Sequence, residues 1–475
     1  MYVCIYICMY KYVCIHANVY IHMYTYILMH LCTGIQHHRR DRVLVTAYTL
    51  RNQRATGDYE YRTALSAAVE RVVGLEQVTD DGSALEINRE GVHILVNLGG
   101  YTSSARTEIF AFHPAPIQIL LQGFAGTSGA PYLEYNVVDV IQAPPEHANF
   151  YSERMQLLPV SAFRGEGDGS ELILEGVEKA QQRAKLGLPA PPAFVAANLN
   201  RPFKLEPGIF NVWLSFIART STGVRAGPGG GRGEGGGGRA LTGEFGNGGG
   251  VGGGRGGAYF WMFRWPDALP AEGCLRREMA NVALAVQERV IFTDLLPHEE
   301  KIRGKGAADI FLDTPEYNAH GTATEVLSGG VPVLTLPGAK AHSSRVAASV
   351  ILALGLPELV ARTIGEYEDI AVRLALDASM YRCVCVCVCV CVCVCKLVAR
   401  TIGEYENIAV LLPLDASMYR KLRDKVAKQR KESTLFNRRL WALRMEHSYM
   451  QIWDLWAASV APMHTVLAAS CRTEQ

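Results

Sequence analysis

The sequence predicts an α/β protein of two consecutive Rossmann-like lobes, and three observations carry that reading. Apolar runs such as VHILVNL (92–98) and VPVLTLP (331–337) are continuous rather than alternating, as strands covered on both faces are. Helical patterns separate these runs, the order expected of a parallel sheet wound by crossover helices. A connection rich in Pro and Gly, from Ser161 to Pro192, divides the series in two. A chain of 475 residues is long enough for both lobes to bury a core.

In the first lobe, VLVTAY (43–48), VHILVNL, IQILLQGF (117–124) and YNVVDVI (135–141) read as strands. RTALSAAVERVVG (62–74), SARTEIFAF (104–112) and HANFYSERM (147–155) read as helices between or after them. In the second lobe the strands are AFVAANLN (193–200), YFWMFRW (259–265), RVIFTDL (289–295), DIFLDT (309–314) and VPVLTLP. Its helices are EPGIFNVWLSFIART (206–220), LRREMANVALAV (275–286), HEEKIRGKGAA (298–308) and SRVAASVILALG (344–355). Two long C-terminal helices, RKLRDKVAKQRKES (420–433) and RRLWALRMEHSYMQIWDLWAAS (438–459), close the chain. The expected domains are a low-complexity segment 1–40, a partial N-terminal lobe 41–165, a linker 166–192 and a C-terminal lobe 193–470.

Three stretches depart from this pattern. Residues 1–30 use almost only Tyr, Val, Ile, Cys, Met and His, the residues a TA/TG-rich DNA repeat encodes. Lys11, His16, Asn18 and His22 break the stretch, so it lacks the ~18–20 uninterrupted apolar residues of a membrane helix. It also has neither a basic start nor a small-residue cleavage site. The run Cys383–Cys395 alternates Cys and Val, the reading of a TG repeat. It separates two near-copies, Leu359–Arg382 and Leu397–Arg420, which differ only at Asp369/Asn407, Arg373/Leu411 and Ala375/Pro413. One copy suffices for the fold. The insert 222–257 is dominated by glycine and reads as a loop.

A formal net charge of +1 argues against a general nucleic-acid binder. Of 13 cysteines, seven lie in the Cys-Val run and four in the first 32 residues, leaving no disulfide framework to read.

The residues that suggest chemistry follow the strand DIFLDT. There a loop of small and polar residues, Asn318-Ala319-His320, leads into a helix starting near Gly321-Thr322. Free N–H groups and the dipole at a helix N-terminus suit a phosphate. Small residues at Ala319, Gly321 and Ala323 let the backbone approach closely, and Glu325, one turn on, could accept hydrogen bonds from a ribose diol. An ordinary capped helix, with His320 bonded to backbone, explains the same spacing. Lys204, just past the first strand of the lobe, is where a cation reaches a diphosphate, although a lone lysine there is more often a solvated loop charge.

HILVNLGGYTSSARTEIFAFHPAPIQILLQGFAGTSGAPYLEY and ADIFLDTPEYNAHGTATEVLSGGVPVLTLPG resemble, respectively, N- and C-terminal catalytic signatures of the O-GlcNAc transferases. The resemblance implies a GT-B-type glycosyltransferase fold with a truncated N-terminal lobe and C-terminal helices. It implies transfer of N-acetylglucosamine from UDP-GlcNAc to Ser or Thr hydroxyls of proteins, with inversion, without metal and with no cofactor beyond that donor. Lys204 matches the lysine that stabilises the departing UDP. His320 and Thr322 match the donor-phosphate loop, with Gly321 in place of a threonine, and Asn318 and Ala319 fit that loop. Glu325 stands for the family's ribose-binding aspartate, and Gly126 and Thr127 fall in the loop facing the sugar. Arg201 replaces a glutamine near the diphosphate, and His298 and Lys301 reverse a lysine-histidine order beside the uracil. Leu85 and Asn88 stand where the family has an aspartate and a histidine. The family's tetratricopeptide repeats and the first strand of the lobe are not legible here. Expected partners are a UDP-sugar and Ser/Thr-containing proteins, with no nucleic acid and no membrane, at a nucleocytoplasmic location. A non-catalytic nucleotide-sugar binder and a SPINDLY-type protein O-fucosyltransferase using GDP-fucose are the alternatives.

Overall fold

The structure, a computed structural model, describes residues 7–13, 34–50, 58–101, 105–121, 123–165, 173–222, 257–296, 300–339, 341–380 and 418–467. It contains two parallel sheets. The strands are β1 Ile7–Val13, β2 Val43–Thr49, β3 Arg71–Gly74, β4 Ile94–Asn97, β5 Ile117–Leu121, β6 Tyr135–Asp139 and β7 Arg154–Leu158 in the first part of the chain. The second part adds β8 Val195–Asn198, β9 Tyr259–Phe263, β10 Val290–Thr293, β11 Ile310–Leu312 and β12 Val333–Leu334, and β13 Thr465–Val466 comes last. The N-terminal sheet runs β3-β2-β1-β4-β5-β6-β7-β13 and the C-terminal sheet β10-β9-β8-β11-β12. In each, the order reverses beside the first strand, and ligands bind at the carboxyl ends of strands at such a reversal.

The first lobe carries helices α1 Asp58–Ala68, α2 Asp80–Arg89 and α3 Glu108–Ala111. The second carries α4 Gly176–Lys185, α5 Pro207–Thr222, α6 Leu269–Met279, α7 Leu284–Gln287, α8 Lys301–Lys305, α9 Gly321–Ser328, α10 Val346–Ala353 and α11 Ile364–Met380. Helices α12 Met418–Glu432 and α13 Arg438–Ala457 complete the chain. The cores match the sequence pattern: β4, β5, β6 and β8 are buried along their whole length, as continuous apolar strands must be.

Several expectations are corrected. The N-terminal sheet has its central strand: β1, from the segment read as translated repeat, pairs with β2 from Ile7↔Val43 to Val13↔Thr49 and with β4 from Met9↔Ile94 to Lys11↔Val96. Tyr, Ile, Val and Cys favour a pleated strand whatever their genetic origin. The lobe also extends upstream of residue 41. Ile35 lies in the core, and a Cβ on Gly34 would meet the Trp441 ring at 2.7 Å. Glu446, almost fully buried, accepts from Arg39 N at 2.6 Å and bonds His38 Nδ1 at 3.2 Å. RVVG, read as a helix end, is the edge strand β3, and SERM is the turn and start of β7. LRREMANVALAV is two helices, α6 and α7.

The linker 166–192 contains α4, whose Lys179 and Arg183 reach into the second lobe. Both bond the buried Asp309 at 2.6 Å, and the paired cations hold that carboxyl down to about 2 although burial opposes them. The C-terminal lobe does not run to 470: Trp441, Met445, Tyr449 and Ile452 of α13 pack in the N-terminal core, and β13 joins that sheet through Thr465↔Gln156.

The Cys-Val run, the second copy up to Ser417 and most of the Gly-rich insert lie outside the described residues. The insert's flanks meet, with Ala258 N donating to Thr220 Oγ1 at 3.2 Å. Helix α11 of the first copy docks on α5. Arg219 bonds Glu368 and Asp369 at 2.9 and 2.7 Å, and Trp213 Nε1 donates to Tyr367 Oη at 3.2 Å. Helix α11 ends at Met380 and α12 begins at Met418, the same position of the two copies. Deleting residues 381–418 therefore rejoins one uninterrupted copy. The deletion variant is expected to fold with a Tm equal to or above that of the full chain, and a fall of more than a few degrees in thermal unfolding would show that the fold needs the second copy.

Candidate donor-binding site

The C-terminal sheet reverses order between β8 and β11, and the loops leaving those two strands build the site. Asn198, at the end of β8, donates Nδ2–H to Leu312 O at 2.7 Å, so the two strand ends are fixed to each other. Asp313 follows β11 and is fully buried. Its Oδ1 accepts from Ala319 N at 2.7 Å and from Asn200 Nδ2 at 3.4 Å, and its Oδ2 accepts from Thr335 Oγ1 at 2.8 Å. Its own carbonyl accepts from Tyr367 Oη at 2.8 Å. Burial nevertheless raises the Asp313 carboxyl above its ordinary range.

These bonds fold residues 313–320 into a tight loop. Asn318 N donates to Ser343 O at 2.9 Å, and Asn318 Nδ2 to Thr314 O at 2.7 Å. His320 precedes α9, and its Nε2 lies 3.0 Å from Ser343 O. A carbonyl only accepts, so Nε2 carries the proton and Nδ1 the lone pair. Burial, reinforced by Lys204, holds the ring well below its usual pKa and therefore neutral. Ala323 N and Thr324 N bond back to His320 O, and the N–H groups of Gly321 and Thr322 lack an intrahelical acceptor, as the first residues of a helix do. Both residues are partly exposed, so this positive end is accessible.

Lys204 reaches the same loop from β8. Its Nζ donates to Asn318 O at 2.7 Å and lies 4.4 Å from the centre of the Tyr317 ring. Desolvation lowers the ammonium towards about 7, with Asp313 opposing that shift. Tyr317 stacks on His320 at 4.9 Å and 24°, and Phe203 meets its edge at 5.9 Å. Lys204, Asn318, Ala319, His320, Gly321 and Thr322 are thus brought together on one loop.

Other expected site residues sit differently. Glu325 is not free for a ribose: it is 2% exposed and ion-paired with Lys305, itself 2% exposed. A helix turn places the side chain of residue 325 towards α8 rather than over the helix N-terminus, a pairing that spacing alone does not reveal. The buried Arg201 lays its guanidinium over Trp265 at 4.6 Å. Thr127 is tied to the amino end of β7, donating to Glu153 Oε2 at 2.8 Å and accepting from Ser152 N at 3.0 Å. Gly126 O accepts from Asn136 Nδ2 at 2.9 Å, near the start of β6. Ala125, just before them, is the residue of that loop that packs against the C-terminal core. Gly123 is required there, because a Cβ would fall 1.4 Å from Leu98 O. His298 and the Lys301 side chain lie outside the described residues. Leu85 is half-exposed on α2, and Asn88 donates Nδ2–H to Pro114 O at 3.2 Å.

The N-terminal lobe meets the site along the carboxyl ends of its own strands. Phe163 lies 5.7 Å from the His320 ring. Buried Asp139, at the end of β6, accepts from Ile141 N, Gln142 N and Ala162 N and from Ser349 Oγ of α10 at 2.8 Å. Arg345 Nε donates to Gln142 O at 2.9 Å. Among the described residues no group of acidic, histidine or cysteine side chains could hold a metal ion.

The pairing of Glu325 separates two roles by experiment. Glu325→Ala leaves Lys305 buried without its carboxylate and is expected to cost about 3–5 kcal/mol in denaturant unfolding. A ribose ligand's loss would instead weaken nucleotide binding and leave stability unchanged.

Comparison with known proteins agrees with this architecture. The sequence profile of glycosyl transferase family 41 matches residues 20–175, 256–389 and 382–445. The chain is 30% identical to the probable UDP-N-acetylglucosamine–peptide N-acetylglucosaminyltransferase SEC of Arabidopsis thaliana, over 90% of this chain and 36% of that protein. It is 26% identical to the UDP-N-acetylglucosamine–peptide N-acetylglucosaminyltransferase of Caenorhabditis elegans, over 72% of this chain and 35% of the relative. It therefore spans little more than a third of those relatives' lengths. The structure of a Thermobaculum terrenum O-GlcNAc transferase mutant superposes with a TM-score of 0.66 at 19% identity, covering 96% of this chain and 69% of that one, which shows a shared GT-B-type fold. The profile match starts at residue 20, inside the segment read as translated repeat. With both signatures in place on two Rossmann sheets, the chain belongs to glycosyl transferase family 41.

Proposed function

We propose that this chain carries the catalytic part of a transferase that moves N-acetylglucosamine from UDP-GlcNAc to Ser or Thr hydroxyls of proteins. The observation that carries the reading is the convergence of Lys204 and the N-terminus of α9 on one loop at the sheet's reversal point. A partly desolvated ammonium and accessible N–H groups together form a site for a diphosphate. The relatives' names supply the sugar and the acceptor class.

In such a transfer the acceptor hydroxyl oxygen bonds to the anomeric carbon on the face opposite UDP and gives up its proton to solvent, so that UDP and one proton are released with the glycosylated product. The bond from that carbon to the β-phosphate oxygen breaks, and its electron pair leaves with UDP, inverting the centre. The charge to be stabilised in the transition state is on the leaving diphosphate. Lys204 and the N–H groups of Gly321 and Thr322 meet it already oriented, with no cofactor in the scheme. Neutral His320 leaves the phosphates to those donors and offers the Nδ1 lone pair to a ligand hydroxyl. Within the described residues no helix is long and apolar enough to cross a membrane, and we place the protein in the nucleus and cytoplasm on the strength of its family.

A second reading, a nucleotide-sugar binder without transfer, is favoured by one observation: α2 presents the exposed, apolar Leu85 where the family resemblance places an aspartate. Mass spectrometry of an acceptor peptide incubated with UDP-GlcNAc decides between them. Addition of one N-acetylhexosamine per modified site, insensitive to EDTA, is the expected result. Lys204→Ala should lower kcat by about 100–1,000-fold, the usual cost of losing one preorganised donor. UDP binding with neither peptide modification nor donor hydrolysis would establish the second reading instead.

A further inference from the structure

Tyr317 lies between the two groups that handle the diphosphate. Its ring is stacked on His320 at 4.9 Å and 24°, and the Lys204 ammonium lies 4.4 Å from its centre. Phe203 closes its edge at 5.9 Å. The loop end that carries it is fixed, because Thr314 Oγ1 donates to Tyr317 O at 2.6 Å and Asn318 N is bonded to Ser343 O. Lys204 thus has one hydrogen bond to a neutral carbonyl, Asn318 O, and one aromatic face. Neither contact is a salt bridge. A cation over an aromatic face is attracted by the ring quadrupole, and the attraction grows as water is excluded.

We infer that the Tyr317 ring is a positioning residue for Lys204, holding the ammonium over the donor loop and the His320 ring in line with it until a diphosphate takes over the charge. This rests on the donor-site reading above. Without the ring, the flexible four-carbon stem of Lys204 would have only the Asn318 carbonyl to fix it. A diphosphate would then recruit a lysine that is both less ordered and less readily charged. The ionisable groups facing Lys204 are Asp313, from the end of β11, and His320, from the start of α9. Asp313 favours the charged lysine, and His320, being neutral, leaves the balance to the ring and to burial.

The test uses the full chain, with Tyr317→Phe and Tyr317→Leu beside the wild type. UDP affinity is measured by calorimetry from pH 6 to 9. In parallel, the Lys204 titration is followed without ligand by NMR of isotope-labelled lysines, assigned with Lys204→Arg. In the wild type a bound diphosphate raises the lysine pKa, so binding takes up a proton and weakens as pH rises above about 7. Tyr317→Phe keeps the aromatic face and should stay within about twofold of wild-type affinity at every pH. Tyr317→Leu should lose about fivefold to tenfold, with the ligand-free titration of Lys204 moved about half to one pH unit lower. A role in packing alone would lower the Tm of Tyr317→Leu and leave the titration where it was, and that result overturns the inference. Equal affinity and titration in all three proteins would overturn it as well. If the wild type does not bind UDP, the donor reading fails, and the ligand-free titration still decides whether Tyr317 positions Lys204.

Discussion

The carboxylate of Asp313 is the point on which the C-terminal site is built. It has no exposed surface, and it bonds a backbone N–H of the loop 313–320, a hydroxyl from beyond β12 and an amide from beyond β8. A buried carboxylate left with fewer partners would be costly, so its three bonds and the loop shape enforce each other. Tyr367 fixes the carbonyl of the same residue from α11, which ties the site to the first of the two near-identical copies. The negative charge also offsets the desolvation of Lys204, keeping a cation available where the helix N-terminus alone would supply a weak field.

Topology then does the placing. Both lobes repeat the winding that reverses beside the first strand, and the loops after β8 and β11 lie on either side of the reversal in the second lobe. The first lobe is turned towards the same cleft through Asp139, whose carboxylate reaches Ser349, and through Phe163 beside His320. Helix α13 and β13 return the end of the chain to the N-terminal core, so that lobe is completed by residues distant in sequence.

Much of the fold was legible from residues alone, for physical reasons. Fully buried parallel strands are continuous apolar runs, and the loop after β11 has small residues and a helix start of the kind that suits an anion. The misreadings share a cause: local pattern does not encode partners. RVVG continues a helical apolar rhythm, yet it forms an edge strand because β2 lies alongside. Glu325 looks available until Lys305 is found beside it. Asp313 was in plain view at the end of an apolar strand, where a carboxylate is out of place unless it is bonded, and that signal could have marked it. The opening segment misled because composition does not encode register, and residues 7–13 pair along β2 and β4.

Hydrogen exchange of the full chain, with and without nucleotide, tests the central claim most directly. UDP is expected to slow exchange at the backbone N–H groups of residues 318–324 and around Lys204, and GDP at the same concentration to leave them unchanged. No protection at these residues, or protection confined to another surface, would contradict a uridine-diphosphate site at the reversal point of the C-terminal sheet.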